Sequence, residues 1–357
     1  MRSSAMTPRV MSVRRTTASV WRVPLDERVI ISREPLNAET RLELQDGLIT
    51  PAGRHYVRSH FPFPNPPEHI VISGSVRTAR SVSFAELRAL PARSALVTLE
   101  CAGNGRSFLR PPAPGEQWGL GAVSTAEWTG VPLHRLLETY GLSGAVVEIL
   151  FRGADSGTPP DVGSRIAFER SLPLSRALAD DVLIAYAMNG APIPREHGAP
   201  VRLVVPTWYG MASVKWLAEI VALEMPFRGF YQTDRYVSGA TPLRAMKPRA
   251  VIVAPLEAVR AGAVTGVRGY AWSGQGAITR VELSTDGGAS WHDAQLDPPA
   301  APAAWRQWHR EWTPSAGAFE LVARATDATG EVQGLENRRD PLGYANNAAQ
   351  PVRVDAR

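Results

Sequence analysis

The sequence predicts an α+β domain followed by an immunoglobulin-like β-sandwich, and three observations carry that expectation. Helix and strand signals alternate between about residues 80 and 225. From about Val251 the helix signals stop, and short strands separated by turns replace them. The 30 Gly and 30 Pro among 357 residues impose short elements joined by many turns. With 44% hydrophobic residues, the chain can bury one large core or two ordinary ones, which suits two domains.

Residues 1–24 read as a flexible leader. Arg14-Arg15 has the look of an export signal, but the stretch from Thr16 to Val23 is too short and polar to be the apolar part of one, so the expected compartment is the cytoplasm, or the periplasm if the true start lies upstream. Residues 25–248 form the mixed domain. In it, Ser83-Phe-Ala-Glu86 is a capping box opening a short helix that carries Leu87 and Leu90. Residues 95–99 read as a strand. Pro132 suits the start of a second helix, in which Leu133, Leu136, Leu137 and Tyr140 share one face and Gly141 closes the C-terminus. Further strands are expected at 146–151, at 182–187 before the Asn189-Gly190 turn, and at 201–205.

Met246-Lys247-Pro248 is the expected boundary, and residues 249–357 form the sandwich. Its strands are read at 264–270, 278–285, 305–312 and 319–326. Asp286-Gly287 supplies a hairpin turn after the second, and in the last Phe319, Leu321, Ala323 and Ala325 alternate with more polar neighbours.

The formal net charge of +5 raises nucleic acid as a partner, but the arginines are scattered among aspartates and glutamates rather than gathered into a basic tract. Nucleic acid is therefore set aside. A membrane span is set aside too, for want of an apolar run of about 18 residues. One cysteine, Cys101, rules out an intramolecular disulfide, a four-cysteine iron–sulfur cluster, a multi-cysteine zinc site and a two-cysteine haem attachment.

Cys101 follows an apolar strand and enters the turn-rich Ala102-Gly103-Asn104-Gly105-Arg106. A lone cysteine is more often a small inert hydrophobe than a ligand, so a functional reading needs a partner, and thiolates prefer soft or transition metals. Other segments are dense in anion-binding groups. Tyr56-Val-Arg58-Ser-His60-Phe-Pro62-Phe-Pro64 and Arg195-Glu-His197-Gly-Ala-Pro-Val-Arg202 set cations and histidines on proline-framed backbone. Trp208-Tyr-Gly-Met-Ala-Ser213-Val-Lys215-Trp216 places one of the two lysines of the chain between tryptophans.

These blocks together resemble one family. Glu100-Cys-Ala-Gly-Asn-Gly-Arg-Ser107 resembles the cysteine loop of the sulfite oxidase family, in its bacterial, haem-free form, and Gly121-Ala-Val-Ser-Thr125 with Trp128 resembles the segment that follows it. The blocks at Tyr56, Phe151 to Asp155, Arg195 and Ser213 are similar in order. In the second domain, Gly269-Tyr-Ala-Trp-Ser-Gly274 and Ser284-Thr-Asp-Gly-Gly-Ala-Ser-Trp291 resemble the family's dimerisation module. A lone C-A-G-N would be weak, whereas eight ordered blocks over two domains are specific.

The resemblance implies a molybdopterin-binding catalytic domain in which molybdenum is held by one pterin dithiolene and by Cys101. It implies pterin contacts from Arg58, Ser59, His60, Asp155, His197, Arg202, Ser213, Val214 and Lys215. It places an anion pocket at Arg58, Arg106, Trp118, Tyr236 and Arg306. Gly105 stands where family members often carry a second arginine, and Thr233-Asp-Arg-Tyr236 departs from the family's usual sequence at the tyrosine. The implied reaction is molybdenum-dependent oxidation of sulfite to sulfate. With nothing resembling a cytochrome b5 domain, electrons are expected to pass to a separate acceptor such as a cytochrome c. A homodimer formed through the sandwich is expected as well. The rivals are another substrate for the same cofactor, either a sulfane or an S- or N-oxide, and a non-catalytic binding protein.

Overall fold

A computed structural model describes residues 27–337 and 340–357, so the expected leader lies outside the described residues. The first domain is built on two five-stranded sheets. One runs Ala191–Pro192, Leu183–Met188, Val123–Pro132, Arg93–Glu100, with Arg202–Val204 also paired to Leu183–Met188. The other runs Arg80–Ser83, His69–Gly74, Leu217–Leu223, Glu148–Gly157, Ile166–Pro173. In the second sheet Leu217–Leu223 lies parallel to His69–Gly74, and the other pairings are antiparallel.

Both expected helices form. Phe84–Ala89 starts at the capping box, with Ser83 Oγ accepting from the Glu86 backbone N–H and Glu86 returning the contact. Leu133–Tyr140 buries Leu133, Leu136 and Leu137 and ends at Gly141, whose φ of 66° a side chain would resist. Gly130, where Val123–Pro132 crosses Leu183–Met188, is glycine for a different reason. A Cβ there would lie 2.2 Å from the Ile184 carbonyl oxygen.

The second domain is two packed four-stranded antiparallel sheets. Arg249–Ala254, Thr265–Trp272, Arg306–Trp312 and Gln295–Leu296 form one; His292–Asp293, Ile278–Ser284, Gly317–Asp327 and Val352–Ala356 form the other. Ile252, Val267, Leu283, Trp308 and Leu321 are among the side chains buried between them.

The domains share a dense junction. Trp305 donates from its backbone to Thr98 Oγ1 (2.7 Å) and from its indole to the Leu48 carbonyl (2.8 Å). Trp272 Nε1 donates to Glu100 Oε2 (2.9 Å), and Arg249 Nε lies 3.2 Å from Glu100 Oε1, an ion pair buried on both sides. Trp272 and Trp305 therefore face the first domain and are closed to a partner molecule.

Candidate functional site

Cys101 sits where the sheet hands over to the loop. Strand pairing of Arg93–Glu100 with Val123–Pro132 ends at Glu100 opposite Val123, and the Cys101 N–H continues it to the Ala122 carbonyl (2.9 Å). Beyond it the chain tightens, with the Asn104 N–H returning to the Cys101 carbonyl (2.9 Å). Asn104 locks the turn by donating to Glu100 Oε1 (3.0 Å) while its Oδ1 accepts from the Ala122 N–H (3.2 Å). The sandwich clamps the loop from outside: the Ala345 N–H reaches the Ala102 carbonyl (2.8 Å) and Asn346 Nδ2 the Gly105 carbonyl (3.0 Å). Gly105 has φ 84°, and a Cβ there would come within 3.3 Å of the Asn346 carbonyl oxygen, so the arginine found here in relatives of the resembled family would crowd this clamp. Burial pushes the Cys101 thiol up, partly offset by Arg58, the Gly103 backbone and Arg106.

Two recesses meet at this cysteine, with Arg58, His60, Cys101 and Tyr236 in the walls of both. The inner one brings together Ser59, Asp155, His197, Arg202, Ser213 and Lys215 as expected. Lys215 Nζ donates to Ser59 Oγ (3.0 Å) and to the Glu196 carbonyl (2.9 Å), and lies 4.1 Å over the Trp216 ring. Burial holds its pKa well below the usual lysine range. Arg202 is buried with only carbonyl partners, those of Leu203, His197 and Ser213, and its guanidinium lies 4.8 Å over Trp128. Desolvation lowers its pKa to about 10.

Two acceptors in the same walls lack donors. Asp155 Oδ1 is buried without a hydrogen-bond partner, and burial pushes its carboxyl up to about 6. His55, which the sequence reading missed, presents the same condition. Its Nδ1 lies 3.0 Å from the Tyr56 carbonyl, to which only an N–H can donate, so Nε2 is a bare lone pair, buried and unpartnered. Burial lowers its pKa to about 3 and keeps the ring neutral. His197 donates from Nε2 to the Ala52 carbonyl (3.0 Å) and packs edge-on to His55.

The outer recess, about 440 Å³, is lined by Arg106, Trp118 and Tyr344 in addition to the shared residues. Arg106 donates from Nη1 to the Glu116 carbonyl (3.0 Å) and from Nη2 to the Leu342 carbonyl (3.1 Å), and lies 5.1 Å over the Tyr344 ring. Trp118 is fully buried, and its indole N–H has no hydrogen-bond partner. Tyr236, at φ 57°, stacks on Tyr344 with centroids 4.9 Å apart, and its hydroxyl is hydrogen-bonded to His60 Nε2 at 2.5 Å. Burial raises the Tyr236 phenol, so it remains protonated at neutral pH. Burial also works against the Arg58 charge, but Tyr236 and Cys101 more than offset it, and its pKa is raised.

Two expected site residues lie elsewhere. Arg306 is in the sandwich, donating from Nε and Nη2 to the Asp297 carbonyl (3.0 and 2.6 Å) and from Nη1 to the Ile278 carbonyl (2.8 Å). It lines neither recess, and its fork ties a turn of the sandwich instead, so it does not belong to the anion pocket. Val214 is buried in the core, and only its neighbours Ser213 and Lys215 reach the inner wall. Tyr344 and His55 are among the wall residues that sequence reasoning missed. His55 stood beside the quoted Tyr56 block, whereas Tyr344 comes from a far loop and left no local signal.

The donor set fits a molybdenum-pterin group. Asp155 Oδ1 and His55 Nε2 are acceptors for ring N–H groups, and the Arg202 guanidinium, bonded only to carbonyls, has no anion on it, as a phosphate would supply, with the Lys215 amine in the same wall. Among the described residues no group of three or more His, Cys, Asp or Glu could hold a metal, so a metal at Cys101 would take its other ligands from a cofactor.

Comparisons with known proteins agree with this reading. A family model described as an oxidoreductase molybdopterin binding domain matches residues 60–231, and one described as a Mo-co oxidoreductase dimerisation domain matches residues 243–356. Sulfite oxidase of Gallus gallus is 36% identical over 339 residues, covering 85% of this chain and 72% of its own length. Mitochondrial sulfite oxidase of Mus musculus is 35% identical over 338 residues, again 85% of this chain. The chain spans 61% of the length of that mouse relative. The crystal structure of the sulfane dehydrogenase SoxCD from Paracoccus pantotrophus superposes with a TM-score of 0.81 at 27% identity, covering 96% of this chain and 92% of that one.

Proposed function

This chain belongs to the sulfite oxidase family of molybdopterin-dependent oxidoreductases, and from that membership we propose that it oxidises sulfite to sulfate and passes the electrons to a separate acceptor such as a cytochrome c. One observation carries the choice of substrate class. Arg58 and Arg106 face the recess beside Cys101, with the unpartnered Trp118 indole N–H and protonated phenols around them, so the wall is rich in donors and suits a small oxyanion.

The roles of the residues follow. Cys101 would ligate the molybdenum, while Asp155, His55, His197, Arg202, Ser59 and Lys215 would hold the pterin and its phosphate. When bound, the cofactor supplies oxygen-atom transfer and the two-electron redox change. Arg58 and Arg106 neutralise and orient the anion. Tyr236, hydrogen-bonded to His60, stays protonated at the edge shared by both recesses. Trp118 and the stacked Tyr344 narrow the space open to water. The dimerisation module at 243–356 would pair two copies, as closed two-fold symmetry favours.

The likeness to the SoxCD sulfane dehydrogenase along 96% of this chain supports a second reading, in which a sulfane sulfur is the substrate of the same centre. Steady-state assays with sulfite and with a persulfide, each with ferricyanide or cytochrome c as acceptor and with molybdenum content measured in parallel, separate the two. Turnover with sulfite that scales with molybdenum content is the expected result. Protein fully loaded with molybdenum that reduces the acceptor only with the persulfide would overturn the sulfite reading.

A further inference from the structure

One cation at the mouth of the outer recess has no part in the site described so far. Arg235 lines the same recess as Cys101, Arg58 and Arg106, directly before Tyr236 in the chain. Its Nη1 donates to the Asp234 carbonyl (3.0 Å), its Nη2 pairs with the Asp161 carboxylate, and its guanidinium lies 5.0 Å over the Phe230 ring. Asp161 comes from the Thr158-Pro159-Pro160 turn, which lines the mouth with it. The Asp161 side chain is 58% exposed and that of Arg235 29%, so water screens the pair and parting it costs little.

Asp161 is thus an internal anion, seated on a cation that faces a recess already charged for anions. A doubly charged tetrahedral oxyanion offers Arg235 more charge than one carboxylate does, and among Arg58 and Arg106 it is less screened than the 58%-exposed Asp161 side chain. We propose that Arg235 is a third anion-binding residue of the substrate recess and that Asp161 competes for it, so that an entering oxyanion draws Arg235 away from Asp161. The proposal rests on the oxyanion reading of the recess.

Calorimetric titration of sodium sulfate into the holoenzyme at low ionic strength tests it without turnover. Arg235→Gln should weaken sulfate binding by about three-fold or more, and Arg235→Lys should recover part of that loss. Asp161→Asn should tighten binding by about three-fold, and this gain should vanish in the Arg235→Gln background, because the carboxylate acts through the arginine. Binding unchanged in Arg235→Gln would overturn the proposal while leaving the oxyanion reading intact. A gain from Asp161→Asn that persists without Arg235 would overturn it too, since the carboxylate would then act by simple repulsion. Wild-type holoenzyme that binds no sulfate would bring down the oxyanion reading and this proposal together. Molybdenum content and melting temperature, measured on each variant, must match wild type, and where Arg235→Gln fails this the Arg235→Lys comparison decides.

Discussion

The inner and outer recesses share four residues and differ in what their remaining walls ask of a ligand. The inner wall mixes bare acceptors, Asp155 Oδ1 and His55 Nε2, with the buried Arg202 guanidinium and Lys215 amine. Only a molecule with both N–H donors and negative charge answers all of these at once. The outer wall is dominated by donors and opens to solvent past an exposed ion pair. Such a wall suits a small anion. The difference teaches that defects inside should cost cofactor and stability, and defects outside should cost substrate affinity alone.

The residue at the seam should show the largest effect. Cys101→Ser is expected to abolish turnover while the fold survives, because the inner wall still holds the pterin and a serine oxygen is a poor substitute for a thiolate. Retention of more than about a tenth of wild-type turnover would overturn the ligand assignment. Next comes Arg202→Leu, which removes a buried cation bridging the carbonyls of His197 and Ser213. Molybdenum and pterin content should fall by more than half and thermal stability should drop, since carbonyls are left unpaired. Full cofactor occupancy in this variant would erase the distinction between the two walls.

Arg106→Gln tests the outer wall. The sulfite KM should rise by about ten-fold or more, since one charge-assisted contact contributes roughly 1.5–3 kcal/mol, while cofactor content stays at the wild-type level. A KM unchanged from wild type, with normal cofactor content, would show that this arginine does not meet the substrate.

Legibility in the sequence followed the same division. The two helices were readable because their signals are local: a capping box at Ser83 and Glu86, and a repeating apolar face closed by Gly141. Val123–Pro132 was not, because a strand buried on both faces need not alternate, and here it carries Ser124, Thr125, Gly130 and Pro132. Most of the inner wall was legible as motif blocks that lie within short stretches of chain. The outer wall draws on the sandwich loop at Leu342 and Tyr344, brought to Arg106 only by tertiary folding. Carrying Arg306 into the pocket failed for that reason. A position in a distant strand has no local signal tying it to Cys101, and its guanidinium is committed to the Asp297 turn.

The smallest expected effect lies behind both walls. Glu39 is buried on the strand Leu36–Thr40, which also carries the Asn37 that accepts from Arg58, but Glu39 lines neither recess. Burial pushes its carboxyl up to about 7, only partly offset by the Gly119 and Gly121 backbone N–H groups. The folded state therefore holds this proton more tightly than the unfolded chain, whose carboxyl titrates near 4.5. Stability should rise as pH falls from about 7 toward 4.5 and be lost as pH rises through the same window. Glu39→Gln stays neutral throughout, so at pH 8 it should be more stable than wild type by an amount bounded at about 3 kcal/mol. That corresponds to a melting temperature a few degrees higher, with the gap closing near pH 4.5. Cofactor content and sulfite KM should not change, because the residue touches neither wall. A variant less stable than wild type at pH 8, or a gap that widens on acidification, would show that the Glu39 carboxylate is held by its backbone donors and costs the fold nothing.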